Sequence, residues 1–257
     1  MKVASWNVNS IKARKERLLN WVQKNAPDVL CLQELKTELD GFPRAELEAL
    51  GYHSVALGQR SYNGVAILSR QPLDDVRVGL DDGVDDDEAR LISAHTNGLR
   101  VISCYVPNGQ ALDSPKYQYK QRWLDRLGAY LSRHHQASEP LALCGDFNIA
   151  PEDRDTNDPA AWADSVLFSA EVRAQFQALL GWGLVDSFRI HNQEANKLSW
   201  WDYRMLSFPK GVGMRIDFVL VTRALAERCD AVGIDRNERK GKLPSDHAPV
   251  FAEFRWP

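Results

Sequence analysis

Six short apolar runs along this chain each open or close on polar, mostly oxygen-bearing side chains. "ASWNVN" ends on Asn7 and Asn9, "LCLQELK" carries Glu34 at its end, "CYVPNG" gives Tyr105 and Asn108, and "LCGDFNIAP" gives Asp146 and Asn148. "MRIDFVL" holds Asp217 between Ile216 and Phe218, and "PSDHAPVFAEF" sets Asp246 and His247 just ahead of the last run. Many of the runs are rich in Val, Ile, Leu and Cys at successive positions, the composition of strands covered on both faces. One polar junction of this kind is a turn. Six imply a common rim, where loops on a rigid scaffold carry chemistry.

Strands are expected at Val3–Trp6, Val29–Leu32, Val65–Leu68, Arg100–Tyr105, Leu141–Cys144, Arg215–Val221 and Val250–Phe254. Helices fall between them. Ser10 caps a run over Lys12–Asn25 in which Leu18, Trp21 and Val22 make a helical stripe. Pro43–Leu50 starts on Pro and stops before Gly51. Pro115–His134 carries Trp123, Leu124, Leu127, Tyr130 and Leu131 at helical spacing, and Ala170–Leu180 is a further helix. Strands and helices mixed throughout define an α/β layered domain.

At 257 residues, without a Pro/Gly/Ser-rich linker or a repeat, the chain reads as one domain over residues 1–257. No apolar run approaches the ~20 residues of a membrane span, and the start lacks a secretory apolar core, so a cytoplasmic location is expected. Cys31, Cys104, Cys144 and Cys229 show no C-x-x-C spacing and read as buried free thiols. The net charge of -3 excludes a basic-tail nucleic-acid binder but not an enzyme whose site needs carboxylates. The acidic stretch from Asp81 to Arg90 reads as a solvated loop between strands.

Glu34, Asp146, Asp246, Asn7, Asn9 and Asn148 are hard oxygen donors, with one histidine among them, a set that suits Mg²⁺ or Mn²⁺ better than zinc. Taken singly, Asn7 and Asn9 pass for turn formers and Glu34 for an exposed helix start. Asp217 is different. A carboxylate inside an apolar strand is buried and needs a partner. His247 is that partner: an aspartate on one ring nitrogen fixes the tautomer and leaves the other facing substrate. No G-x-S-x-G and no cysteine in a basic setting offers a nucleophile. The nucleophile is therefore water, activated by a metal and a general base, and the donors suit phosphate-ester hydrolysis.

The motifs "WNVNS", "LQELK", "YNGVAILSR", "YVPNG", "GDFNIAP", "DSFR", "SWWDYR", "RIDFVL" and "SDHAPV" lie in this order along the chain. Together they resemble the exonuclease III family of apurinic/apyrimidinic endonucleases, within the endonuclease/exonuclease/phosphatase superfamily. The resemblance runs from Lys2 to Phe254. It implies an α/β fold, a four-layer αββα sandwich of two packed mixed sheets flanked by helices, with the site at one end. It implies Mg²⁺-dependent cleavage of double-stranded DNA: incision 5′ to abasic sites, removal of 3′-blocking groups, and 3′→5′ exonuclease action from nicks and 3′ ends. A monomer that does not engage membranes is expected.

By motif position, Glu34, Asn7, Asp146, Asn148, Asp246 and His247 are the implied metal-site residues. Tyr105, Asp146, Asn148, Asp217 and His247 are the implied catalytic ones. Either Asp146 or His247 is the general base. Asn9, Lys36, Asn108, Lys116, Lys120, Trp200, Arg204, Met214 and Ile216 are the implied DNA contacts, with Arg90 and Arg122 as further basic candidates. Trp200, Trp201, Met214 and Ile216 match the pocket for a flipped sugar, and one of the two tryptophans is expected to be core.

The sequence departs from the family pattern in three places. "WNVNS" lacks the Gly that many relatives have after the second polar residue. Met214 replaces an aromatic residue or Leu, and "ADSVLFSAEVR" replaces the commoner "FLPEER". Leu167, in that last segment, is expected near the abasic pocket, where bulk would favour 3′-end trimming over internal incision. Two other readings stay on the page: a lipid or inositol phosphatase of the same superfamily, and a catalytically silent RNA-binding regulator. The "SWWDYR" segment opposes the first, and the full set of metal-site residues opposes the second.

Overall fold

A computed structural model describes residues 1–256. Its strands are β1 (Lys2–Asn7), β2 (Val29–Gln33), β3 (His53–Leu57), β4 (Val65–Ser69), β5 (Asp74–Val78), β6 (Leu91–Thr96), β7 (Leu99–Tyr105), β8 (Leu141–Asp146), β9 (Leu184–Asp186), β10 (Asp217–Thr222), β11 (Cys229–Ile234) and β12 (Val250–Phe254). The helices are α1 (Ile11–Asn25), α2 (Arg44–Ala49), α3 (Pro115–His134), α4 (Pro159–Trp162), α5 (Ala170–Gly181), α6 (Ser187–His191), α7 (Ser207–Lys210) and α8 (Arg223–Ala226).

The strands form two six-stranded sheets, ordered β11-β12-β1-β2-β4-β3 and β5-β6-β7-β8-β10-β9. Each sheet is mixed and holds one parallel pair, β1 with β2 and β7 with β8. A parallel pair needs a long crossover, and α1 and α3 supply the two.

Alternation along the strands sorts the core into layers. Val29 and Cys31 of β2 point inward and pack with Val101, Cys144, Val219 and Val250 between the sheets. Leu30 and Leu32 point outward and pack with Leu18, Trp21 and Val22 of α1. On the far side, Leu141, Leu143, Phe218 and Leu220 meet Trp123, Leu127 and Leu131 of α3 and Phe176 of α5. Helix, sheet, sheet, helix is the expected αββα order.

Register brings the polar ends together. The parallel pairing of β7 with β8 sets Tyr105 opposite Asp146, and the antiparallel pairing of β8 with β10 sets Asp217 opposite Asp146. Asn7 ends β1 opposite Gln33, the residue before Glu34.

One expectation needs correction, and strands β5 and β9 were not expected. The strand expected from Arg215 begins at Asp217, because Arg215 N–H donates instead to Asp155 C=O at 2.8 Å. Strand β5 lies exposed along its length at a sheet edge, so it carries no apolar signal. Strand β9 has only three residues, too few to show a period. Ser10 caps α1 as expected, its Oγ accepting Ala13 N–H at 3.4 Å. All four cysteines are free and buried. Among the described residues no helix is long and apolar enough to cross a membrane.

Candidate active site

Asp217 stands at the mouth of β10 with its carboxylate buried. Its Oδ2 accepts the Ser199 Oγ–H at 2.6 Å and faces His247 Nδ1 at 2.9 Å. Ser199 Oγ accepts the Ile216 and Asp217 N–H groups at 3.0 and 3.1 Å, so its single proton is committed to the carboxylate. His247 Nε2 then faces Asp146 Oδ2 at 3.6 Å. Asp146 Oδ1 accepts the Asn148 backbone N–H at 2.8 Å, and Oδ2 accepts Asn7 Nδ2–H at 2.9 Å.

Burial alone would lower the His247 pKa, but the Asp217 and Asp146 carboxylates outweigh it and raise it to about 10. Burial raises Asp146 to about 7; His247 opposes this, while Asp217 and Glu34 add to it. At neutral pH His247 is an imidazolium and Asp146 sits near its titration midpoint.

A second tier is more open. Asn7 Nδ2 also donates to Glu34 Oε1 at 2.8 Å, so one carboxamide links Glu34 and Asp146. Lys36 Nζ lies 2.7 Å from Glu34 Oε2 and donates to Asn9 Oδ1 at 2.6 Å. Asn9 Nδ2 donates to Asp246 Oδ1 at 2.8 Å, and Trp200 Nε1 donates to Asp246 Oδ2 at 3.1 Å. Asp246 and His247 are neighbours that turn to different partners. Asn9, Glu34, Lys36 and Asn148 all have positive φ, between 44° and 53°. Four non-glycine residues in this sparsely populated region are backbone strain gathered at one site. Burial, with the negative charge of Glu34 and Asp146, holds the Tyr105 phenol well above its usual pKa, against the pull of Arg90.

One ligand atom from each of Glu34, Asp146 and His247 lies within 4.8 Å of the others. The chemistry of the set fits a hard divalent cation. Among the described residues, His247 and Lys36 are the cations within ion-pair distance of Glu34, Asp146, Asp217 and Asp246, and Lys36 already places positive charge on Glu34. His247 Nδ1 is taken by Asp217, so Nε2 is the ring atom that faces Glu34 and Asp146. Asn148 is held by its neighbours: its Oδ1 accepts from Asn108 and its Nδ2 donates to Val106 C=O at 2.9 Å. Asp246 is outside the group and already holds two donors. Glu34, Asp146 and the Asn7 carboxamide are the residues that would hold Mg²⁺ or Mn²⁺.

The expected DNA contacts divide. Asn9 and Lys36 belong to the open tier, and Asn108 is exposed with Nδ2 donating to Asn148 Oδ1 at 3.0 Å. Lys116, Arg122 and Arg204 are exposed, Arg204 in a forked pair with Asp202. Lys120 is a correction: it is fully buried, its Nζ donating to three backbone carbonyls, so its ammonium does not reach a phosphate. Arg90 pairs with Glu88 and lies over the Tyr105 ring at 4.8 Å.

Trp200 is half-buried, bridged to both Met214 and His247, and Trp162 meets it edge-on at 6.2 Å. Met214 and Ile216 are buried beneath it, and Trp201 is core, packed with Leu198 and Ala248. Leu167 is buried in the core under α3 and α5 rather than standing free in a pocket.

Sequence reasoning passed over Ser199 in the site and two exposed apolar residues, Met205 and Leu206. Ser199 gave no signal, since a serine before two tryptophans reads as a turn. Met205 and Leu206, 80% and 69% exposed beside Arg204, both with positive φ, were hidden in a polar-looking segment.

A family profile described as the Endonuclease/Exonuclease/phosphatase family matches residues 4–247. Exodeoxyribonuclease III of Haemophilus influenzae is 39% identical, over 99% of this chain and 100% of its own. An AP endonuclease from Archaeoglobus fulgidus superposes with a TM-score of 0.96 at 40% identity, covering 99% of both chains. A Neisseria 3′ phosphatase, NExo, solved with a product DNA hairpin, superposes with a TM-score of 0.95 at 45% identity over 100% of both. Sheet order, site and likeness across the whole chain agree: the chain belongs to the exonuclease III/AP endonuclease family of metal-dependent DNA repair nucleases.

Proposed function

We propose that this nuclease hydrolyses phosphodiesters of duplex DNA at abasic sites, on their 5′ side, and at blocked or free 3′ ends. One observation carries the reading: the Ser199–Asp217–His247 chain aims an imidazolium at Asp146, while Asn7 joins Asp146 to Glu34. Glu34, Asp146 and Asn7 would hold a Mg²⁺, which when bound would supply Lewis-acid charge.

The chain's own groups do the rest. Asp146, near 7, has the basicity to take a proton from the attacking water, and His247, near 10, is held protonated by its partners' negative charge and keeps its own. That assigns the base to Asp146. It leaves the His247 imidazolium and the Asn148 carboxamide to stabilise charge on the phosphoryl group. Tyr105 keeps its proton and can donate it toward the leaving oxygen. Asn9, Lys36, Asn108, Lys116 and Arg204 position the backbone, which carries no sequence information. Met205 and Leu206 are apolar side chains suited to wedge against base pairs.

The test is a side-by-side assay on an internal abasic duplex, a 3′-blocked nick and a recessed 3′ end. Mg²⁺-dependent cleavage, abolished by EDTA and by Asp146→Asn, supports the reading. Binding without cleavage in any form overturns it. A narrower reading, 3′-end trimming over internal incision, draws on the edge-on contact of Trp162 with Trp200. Equal rates on the internal abasic duplex and the 3′-blocked nick would exclude it.

A further inference from the structure

Lys120 lies on the wrong face of α3 for a surface cation. Tyr117, Lys120, Leu124, Leu127 and Leu131 share the buried stripe of that helix. A buried ammonium is expensive unless every hydrogen is used. Here Nζ donates to Asn148 C=O at 2.6 Å, Val166 C=O at 2.8 Å and Asn108 C=O at 3.2 Å. An ammonium has three hydrogens, so none is left for a ligand.

The three acceptors belong to three separate segments. Asn148 follows β8, Asn108 follows β7, and Val166 lies in the loop before α5. Each segment is shaped for the contact. Asn148 has φ 50°, and its N–H and carboxamide are engaged by Asp146, Val106 and Asn108, which leaves its carbonyl for Lys120. Gly109 has φ 99°, and a Cβ there would stand 3.3 Å from Lys120 Cδ. The turn after β7 is therefore fitted around the lysine stem.

We propose that Lys120 is a positioning residue for the nuclease reaction, tying the Asn108 turn, the Asn148 turn and the Val166 loop into one rigid wall beside the phosphate. It touches no substrate. It acts by fixing the carboxamide of Asn148, which Asn108 also holds. The proposal rests on the nuclease reading above, so the wild-type protein is assayed beside each variant. A wild type that does not cleave DNA sinks that reading, and an active wild type isolates the lysine.

The test uses Lys120→Met, which keeps the stem, and Lys120→Gln, which keeps two donors. On a 3′-blocked nick, Lys120→Met should lower kcat about 100-fold, the scale of losing one preorganised charge-stabilising donor, with KM changed less than about threefold. Lys120→Gln should fall between it and wild type. The salt dependence of DNA binding should keep its slope. A phosphate contact would instead flatten the log–log slope by about 0.9 and raise KM with kcat unchanged. In an Asn148→Ala background, Lys120→Met should cost less than about threefold more, because residues acting as one unit are not additive. Equal losses in both backgrounds, or a kcat loss that only follows the unfolded fraction in thermal melts, overturn the proposal.

Discussion

Two buried charge clusters flank residues 213–217, and they differ in one respect. Around Arg215, Nε meets Asp155 at 2.7 Å and Nη2 meets Asp186 at 2.7 Å, while Arg189 also pairs with Asp155. Two acids face two guanidiniums, and Phe218 and Phe188 cover Arg215 at 4.5 and 5.2 Å. Around Asp217, two residues on, four carboxylates have two cations, His247 and Lys36, within ion-pair distance among the described residues, and Asp146 is raised to about 7. Both clusters are buried and both carry charge. Burial of charge therefore does not mark a catalytic centre. Unbalanced charge facing an opening does, because the surplus awaits a cation or a proton.

Substitutions in the two clusters should separate rate from stability. Asp146→Asn should lower kcat by about 10³- to 10⁴-fold, the range for removing a general base or a triad partner. The same change should leave the urea midpoint unchanged or raise it, since it removes repulsion with Asp217 and Glu34. Asp155→Asn should do the reverse. It strands Arg215 and Arg189 and should cost about 3–5 kcal/mol of stability, read by urea unfolding, with kcat of the folded fraction within about tenfold. If both variants lose rate and stability alike, the two clusters are one network and the contrast fails.

A cation should distinguish the clusters as well. Mg²⁺ at about 100 times its Kd should stabilise the wild type by about 2.7 kcal/mol, seen as a rise in Tm without DNA. Glu34→Gln should abolish that rise. Substitutions at Asp186, in the balanced cluster, should leave the Mg²⁺-induced rise intact. A rise that survives in Glu34→Gln would place the ion elsewhere.

How far the site was legible follows from where each signal is carried. The strands and the polar residues at their ends could be read because an apolar run broken by Asn, Glu or Asp is local. Asp217 and His247 could be paired because a carboxylate inside "RIDFVL" demands a partner, and the structure supplies it at 2.9 Å. Lys120 was misplaced by its type. Lysine reads as surface, but its position on the 117/120/124/127/131 stripe carried the contrary signal. The stacking of Arg90 over Tyr105 had no signal in the sequence. Ser199, Asn7 as a bridge between two acids, and the link from Asn9 through Asp246 to Trp200 had no local signal. They depend on tertiary contacts between segments as many as 237 residues apart. Exposed β5 and three-residue β9 were invisible because neither repeats a pattern long enough to count.

The smallest effect, and the finest test of the contrast, is pH-linked stability without metal. Asp146 in the fold titrates near 7, above its ordinary 3.8, so its contribution to stability is full below about 4 and is lost as pH rises through 7. His247 titrates near 10, above its ordinary 6.5, so its contribution is full below about 6.5 and is lost as pH rises through 10. In EDTA the wild type should therefore lose about 2 kcal/mol between pH 5 and pH 7 from Asp146 alone, measured as a falling urea midpoint. Asp146→Asn should flatten that window. It should also lower the imidazole pKa of His247, followed by NMR, since one of the two carboxylates holding the proton is gone. Saturating Mg²⁺ should flatten the same window in the wild type, because a cation favours the ionised carboxylate. A wild-type midpoint that rises from pH 5 to pH 7 in EDTA would mean that Asp146 is ionised throughout, and that its role as the base needs another source of basicity.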